Sequence, residues 1–273
     1  MKLNVKAVAI DLDGTLLNKH HEVTKFSKNI LQHLSNSGIR IILASARPIK
    51  SVLKIASEIG LPNFPMIAGN GAIIASAVNN IIFRESIDID ELVNLYQTLK
   101  NHTKFNTLTM HIYSDFDWYI PFLTGKAQEE IDIIGFSPTL IDEKVLDLKN
   151  SVQKIMLVGN PDILLEIRKY IENNLKKVSC VFSKSDSLEI NALGVSKFLG
   201  VSTYAQLFQF SLSEFIAFGD GDNDELMLKN CGIGVAMANG TELAKKGAKF
   251  ITETNEKDGV AVFLKNYFKL SQY

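Results

Sequence analysis

Two aspartates separated by one leucine, Asp11 and Asp13, stand at the end of the apolar run Ala7-Val8-Ala9-Ile10, and Gly14 and Thr15 follow them. A short run without polar residues reads as a strand buried on both faces. Its acids fall at the carboxyl end, where open α/β sheets bind ligands. Along a continuing strand the two carboxylates would point to opposite faces, whereas a turn at Gly14 lets both address one site. Carboxylates this close repel each other, so a cation belongs between them.

Later segments repeat the pattern of an apolar strand ending in polar chemistry. Ile39 to Ala44 ends at Ser45-Ala46-Arg47-Pro48, and Phe215 to Phe218 ends at Gly219-Asp220-Gly221-Asp222-Asn223-Asp224. Between them Lys197 opens a helix. If all of these converge, the carboxylates of Asp11, Asp13, Asp220 and Asp224 surround one lysine and one hydroxyl. Mg²⁺ and a phosphate group balance such a cluster: the acids hold the metal, and Ser45 and Lys197 hold phosphate oxygens.

The elements needed to bring these residues together are legible in order. Phe26, Ile30, Leu31 and Leu34 share one helical face, and Gly38 is a natural stop. Pro48 sits where a helix begins, and Val52, Ile55, Ala56 and Ile59 give that helix its apolar face. Pro65 to Ala68 reads as a third strand ending at Gly69-Asn70-Gly71, and Ile73–Ile74 with Ile81–Phe83 as a hairpin through Asn79-Asn80. From Arg84 the pattern changes. A helix through Leu92, Leu95, Tyr96 and Leu99 precedes a strand pair, Thr107 to Tyr113 and Trp118 to Phe122. A helix near Ala127 to Ile134, a strand at Val152 to Val158, a helix begun by Asn160-Pro161-Asp162 and strands at Val178 to Phe182 and Leu188 to Ile190 follow. The βα alternation then resumes with a helix from Ser196 to Phe208 and continues to a last helix through Val260 and Tyr267. The expected fold is an α/β, doubly wound, Rossmann-like parallel-sheet core of residues 1–83 and 188–273, with an inserted α+β cap of residues 84–187.

Composition narrows the function classes. A length of 273 residues fits about two domains. A net charge of -1 gives no reason to expect nucleic acid or an acidic membrane as partner. Cys180 and Cys231 have no metal-ligand spacing and make no disulfide framework, which fits a reducing, cytoplasmic setting. No apolar run approaches the ~18 residues of a membrane span, and Asp11 and Asp13 interrupt any signal-peptide core. His20 and His21 read as loop surface, and His111, Trp118 and Tyr119 as packing within the cap.

With these motifs assembled, the chain resembles the haloacid dehalogenase-like hydrolase superfamily, and within it the Cof-type phosphatases that carry a large cap after the third strand. The likeness rests on Asp11-Leu12-Asp13-Gly14-Thr15, on Ser45 in Ala-Ser-Ala-Arg, on Gly194-Val195-Ser196-Lys197 and on Gly219-Asp220-Gly221-Asp222-Asn223-Asp224. Asn70-Gly71-Ala72 and Asn255-Glu256-Lys257-Asp258-Gly259-Val260 add weaker matches. Ala46, Phe198 and Asn239-Gly240 depart from the family's usual glycine, glycine and Asn-Ala, and none of the three removes a functional group.

The resemblance implies an Mg²⁺-dependent phosphomonoesterase acting on a small phosphorylated metabolite, with sugar phosphates the commonest theme. Asp11 would be the nucleophile that forms an aspartyl-phosphate, and Asp13 the acid and then the base. The Asp11 carboxylate, the Asp13 backbone carbonyl and Asp220 would ligate the metal, with Asp224 and Asn223 behind them. Lys197, Ser45 and the backbone at Leu12 would hold phosphate. Arg47 and Asn70 are further candidates for that role; a salt bridge at a helix start and a turn-forming Asn are their structural alternatives. A phosphomutase shares every core residue, but it needs cap arginines, and Arg168 alone joins Arg84 between Arg84 and Ser187. A non-catalytic phosphometabolite-binding protein would not need Asp13. The substrate and the oligomeric state are not encoded in any motif.

Overall fold

The computed structural model describes residues 4–60, 65–77, 80–121, 127–141, 145, 147–148 and 151–271. Asn79 and Phe122, expected in a hairpin and a strand, lie outside the described residues. Contacts divide the chain into one compact unit of residues 1–46, 52–82 and 196–273, and a second of residues 47–51 and 83–195.

The first unit begins with β1 (Ala7–Ile10), α1 (Lys25–Asn36), β2 (Arg40–Ala44), α2 (Ile49–Ile59), β3 (Met66–Ala68), β4 (Ile73–Ala77) and β5 (Asn80–Arg84). All four residues of β1 are buried, as an apolar strand covered on both faces requires. Thr24 caps α1 by accepting from Ser27 N–H, and the helix buries Ser27, Ile30, Leu31 and Leu34.

The chain then enters the second unit. Its elements are α3 (Ile89–Asn101), β6 (Thr109–Ser114), β7 (Asp117–Ile120), α4 (Ala127–Ile134), β8 (Thr139–Leu140), β9 (Val152–Val158), α5 (Pro161–Asn174), β10 (Val178–Lys184) and β11 (Ser187–Ala192). Among the described residues they form a six-stranded sheet in the order β10-β11-β9-β6-β7-β8. One face, carrying Met110, Ile112, Ile155, Leu157, Leu188 and Ile190, packs with Leu92, Leu95 and Leu99 of α3 and Leu164, Ile167 and Ile171 of α5. On the alternate positions Tyr113, Trp118, Ile120, Met156 and Val158 pack with Ile134 of α4. Residues 105–107 form a short 3₁₀ turn rather than the start of β6, because Phe105 is buried beneath it. The strand expected at Leu188–Ile190 pairs with β9 and β10, so contacts close this unit at Val195 and not at residue 187.

The first unit resumes with α6 (Lys197–Leu207), β12 (Phe215–Gly219), α7 (Glu225–Asn230), β13 (Ile233–Ala236), α8 (Glu242–Gly247), β14 (Phe250–Ile251) and α9 (Gly259–Phe268). Its eight described strands run β14-β13-β12-β1-β2-β3-β4-β5. From β14 to β3 every pairing is parallel, and β4 turns antiparallel to β3. The order reverses at β1, between β2 and β12, so the carboxyl end of β1 is a topological switch point. Asp11 is the next residue.

Candidate active site

Asp11 leaves β1 with its N–H donating to the Phe218 carbonyl at 3.1 Å, which ties the ends of β1 and β12 together. Immediately beyond it the backbone reverses: the Leu12 carbonyl accepts from the N–H groups of Thr15, Leu16 and Leu17 at 3.2, 3.0 and 2.9 Å. Gly14 makes this turn at φ 79°, and a Cβ there would lie 2.3 Å from Asp220 Oδ2. Only glycine lets the first acidic strand end approach the second.

Lys197, the first residue of α6, is buried and lies between two acids. Its Nζ donates to Asp11 Oδ1 at 2.6 Å and to Asp224 Oδ1 at 2.7 Å. Ser196 starts the helix by accepting from Leu199 N–H. The helix start is seated against Gly71, where φ is 99° and a Cβ would meet the Ser196 carbonyl oxygen at 2.0 Å. Asp224 turns its other oxygen inward, accepting from the N–H groups of Asp220 and Gly221 at 3.1 and 3.0 Å. Thr15 Oγ1 donates to Asp220 Oδ1 at 2.9 Å. Carboxylate oxygens of Asp11, Asp220 and Asp224 all lie within 4.8 Å of one another.

The charges of this cluster do not balance. Burial pushes the Asp11 carboxyl well up; Lys197 opposes the shift, and Asp224 and Asp220 add to it. Burial and Asp224 likewise raise Asp220. Burial works against the charge on Lys197, but Asp11 and Asp224 together outweigh it and hold the ammonium protonated. Three carboxylates against one ammonium are short of positive charge, and oxygen donors at this spacing suit a hard divalent cation. Both oxygens of Asp224 are already taken by Lys197 and backbone N–H groups, which leaves Asp11 and Asp220 as the carboxylates open to a metal.

The other expected residues fall in several places. Ser45 is buried at the end of β2, with its N–H on the Ile67 carbonyl and its own carbonyl accepting from Asn70 N–H at 3.1 Å. Asn70 sits in the left-handed region at φ 62°, and its Oδ1 accepts from Asn223 Nδ2 at 3.1 Å, so these two candidates are joined to each other. Asp13 does not share the acidic cluster through its side chain, which is 45% exposed with one oxygen 3.4 Å from His21 Nδ1. Arg47 is buried, not a surface ion pair, and its Nη1 donates to Ser51 Oγ at 3.2 Å.

Sequence reasoning missed the Thr15 hydroxyl on Asp220, a partner 205 residues away with no local signal. It also missed that Asp224 caps the turn it ends. The spacing of an acid three residues after Gly221 is a capping signal that reveals this on inspection.

The profile of the haloacid dehalogenase-like hydrolases matches residues 8–264. Among curated proteins, a Bacillus subtilis relative named 5-amino-6-(5-phospho-D-ribitylamino)uracil phosphatase YcsE is 26% identical, covering 97% of this chain and 96% of its own. Among solved structures, a haloacid dehalogenase-like hydrolase from Bacteroides thetaiotaomicron superposes with a TM-score of 0.88 at 28% identity, over 96% of this chain and 99% of that one. A second protein of that organism, described among the phosphatases of the superfamily, gives 0.80 at 26% identity over 97% and 95% of the two chains. With its motifs, sheet order and acidic cluster in agreement with that profile, the chain belongs to the haloacid dehalogenase-like hydrolases.

Proposed function

We propose that the protein is an Mg²⁺-dependent phosphatase that hydrolyses small organic phosphomonoesters, sugar phosphates foremost, through an aspartyl-phosphate on Asp11. The observation that carries this reading is the buried Lys197 ammonium held between Asp11 and Asp224, with Asp220 completing the carboxylate cluster. A nucleophilic carboxylate must be ionised and meet an anionic substrate, and each condition needs added positive charge. Asp11, Asp220 and the Asp13 backbone carbonyl would hold Mg²⁺, which when bound supplies that charge and keeps the Asp11 carboxyl ionised. Asp224 holds Lys197 and the Asp220 backbone in place, with Asn223 behind it.

In the reaction Asp11 attacks phosphorus and the ester oxygen leaves, taking a proton from Asp13. Asp13 then removes a proton from water, which hydrolyses the acyl phosphate and frees phosphate and Asp11. Its 45% exposed side chain is open to both alcohol and water. Lys197, the Ser45 hydroxyl and the Leu12 N–H would hold phosphate oxygens, with Asn70 and Arg47 as outer contacts. The inserted unit would select the organic group, and the free cysteines Cys180 and Cys231 fit a cytoplasmic protein.

A phosphomutase is less well supported. Among the described residues from 83 to 195, Arg84 is paired with Asp115 at 2.6 Å and Arg168 with Glu172 at 2.7 Å, so neither stands ready for a second phosphate. The test is phosphate release from sugar phosphates, nucleotides, pyridoxal phosphate and a ribityl phosphate, with Mg²⁺, with chelator, and with Asp11→Asn. Metal-dependent release lost in the variant is the expected result. Release that persists in Asp11→Asn, or none from any ester, overturns the proposal.

A further inference from the structure

The loop that follows β13 touches both acidic strand ends. Thr241 N–H donates to the Asp220 carbonyl at 2.8 Å. Two residues earlier, the Asn239 side chain reaches the other way, and its Nδ2 donates to the Gly14 carbonyl at 2.8 Å. Asn239 Oδ1 accepts from Asn255 N–H at 3.1 Å, and Asn255 Nδ2 donates to the Leu17 carbonyl at 2.8 Å. Two carboxamides therefore grip the turn after Asp13 at its first and last residues. The turn itself hangs on the Leu12 carbonyl, immediately before Asp13.

Granted the acid–base role proposed for Asp13, we infer that Asn239 is a positioning residue for that acid, with Asn255 as its support. Asp13 is half exposed, with one carboxylate oxygen 3.4 Å from His21 Nδ1. The carboxyl rides on its own backbone, and the turn that continues that backbone is held by the Asn239–Gly14 and Asn255–Leu17 bonds. Because Thr241 binds Asp220 from the same loop, these contacts set the Asp13 turn directly against the second acidic strand end. Neither asparagine touches reacting atoms.

Proton donation by Asp13 matters most when the leaving group is a poor one. An alkoxide needs the proton as its bond to phosphorus breaks, whereas a nitrophenolate leaves with little help. Loosening the turn should therefore have a signature that general destabilisation lacks. It is read in kcat/KM, which ends at phosphoryl transfer to Asp11.

Asn239→Ala and Asn255→Ala are compared with wild type on p-nitrophenyl phosphate and an alkyl phosphate, together with amide hydrogen exchange over residues 14–19 in the metal-free protein. Asn239→Ala should lower kcat/KM on the order of tenfold to a hundredfold for the alkyl ester, the cost of misplacing a catalytic group. The aryl ester should lose less than about threefold, because its leaving group needs little protonation. Exchange in the turn should quicken in both variants at an unchanged melting temperature. Equal loss on the two esters, or unchanged exchange, overturns the inference. If wild type hydrolyses neither ester, it is the phosphatase reading that has failed, and exchange alone decides whether Asn239 holds the turn.

Discussion

Replacing Lys197 by methionine removes the ammonium that Asp11 and Asp224 share and leaves those carboxylates buried at 4% and 0% exposure. Breaking a buried pair from one side costs about 3–5 kcal/mol, because the remaining charge keeps its desolvation penalty. At about 2–4 °C per kcal/mol for a chain of this size, the melting temperature should fall by roughly 6–20 °C at neutral pH. The loss should depend on pH, and the sign follows from Asp11. Its folded pKa already lies above the ordinary 3.8, so the folded protein holds a proton that the unfolded chain has released, and stability falls as pH rises through that window. Without Lys197 the Asp11 carboxyl rises further and the slope steepens. The deficit should therefore be largest near neutrality, shrink as the pH approaches 4, and be partly reversed by Mg²⁺ at millimolar concentration. Thermal melts of both proteins across pH, with and without Mg²⁺, measure all three effects. A pH-independent drop of less than about 2 °C would refute the charge accounting, because it would mean that the carboxylates never depended on Lys197.

Gly71→Ala places a Cβ 2.0 Å from the Ser196 carbonyl oxygen at φ 99°, so the start of α6 must shift and carry Lys197 with it. Phosphate release should fall on the order of 10²-fold, whereas Gly38→Ala, which carries the same left-handed strain at φ 88° but has nothing within 4 Å of its Cβ, should leave turnover intact; equal turnover in the two variants contradicts the geometry. His111 is fully buried with neither ring nitrogen bonded, and burial, reinforced by Lys154, lowers its pKa to about 3. Its folded state refuses a proton that the unfolded chain accepts below pH 6.5, so stability is lost as pH falls from 6.5 toward 3. His111→Phe should remove that slope, gaining about 2 kcal/mol relative to wild type at pH 5 on about 1.4 kcal/mol per unit; urea unfolding at pH 5 and pH 7 measures it, and an unchanged slope refutes the assignment.

Much of the core was legible because the two strands that end in the acidic motifs carry no polar residue to confuse the reading. Ala7–Ile10 and Phe215–Phe218 read as buried parallel strands, and their polar ends named Asp11 and Asp220. What the sequence could not supply were partners set by tertiary distance. Thr15 meets Asp220, and Asn70 meets Asn223 across 153 positions, through bonds that no spacing rule encodes. Arg47 follows a strand end, where a phosphate contact and an exposed ion pair were equally open readings, and the fold buries it. His111 and Trp118 read as packing within the cap, and the fold buries both with their rings 5.4 Å apart. Short elements escaped for want of period: β8 has two residues, and α8 has six behind its Thr241 cap. Leu188–Ile190 was ambiguous for another reason. A three-residue alternation such as Leu188-Glu189-Ile190 suits either sheet, and only its pairing with β9 and β10 decides between them.

The measurement that bears most directly on the mechanism is to trap the phosphoenzyme. Enzyme turning over a phosphate ester with Mg²⁺ is quenched in acid, reduced with borohydride and digested, and the peptide carrying Asp11 is weighed. An acyl phosphate on Asp11 is converted to homoserine, which should appear in wild type, accumulate in Asp13→Asn and be absent from Asp11→Asn. Steady phosphate release with an unmodified Asp11 peptide, or with the phosphoryl group found on Ser45, would contradict the account.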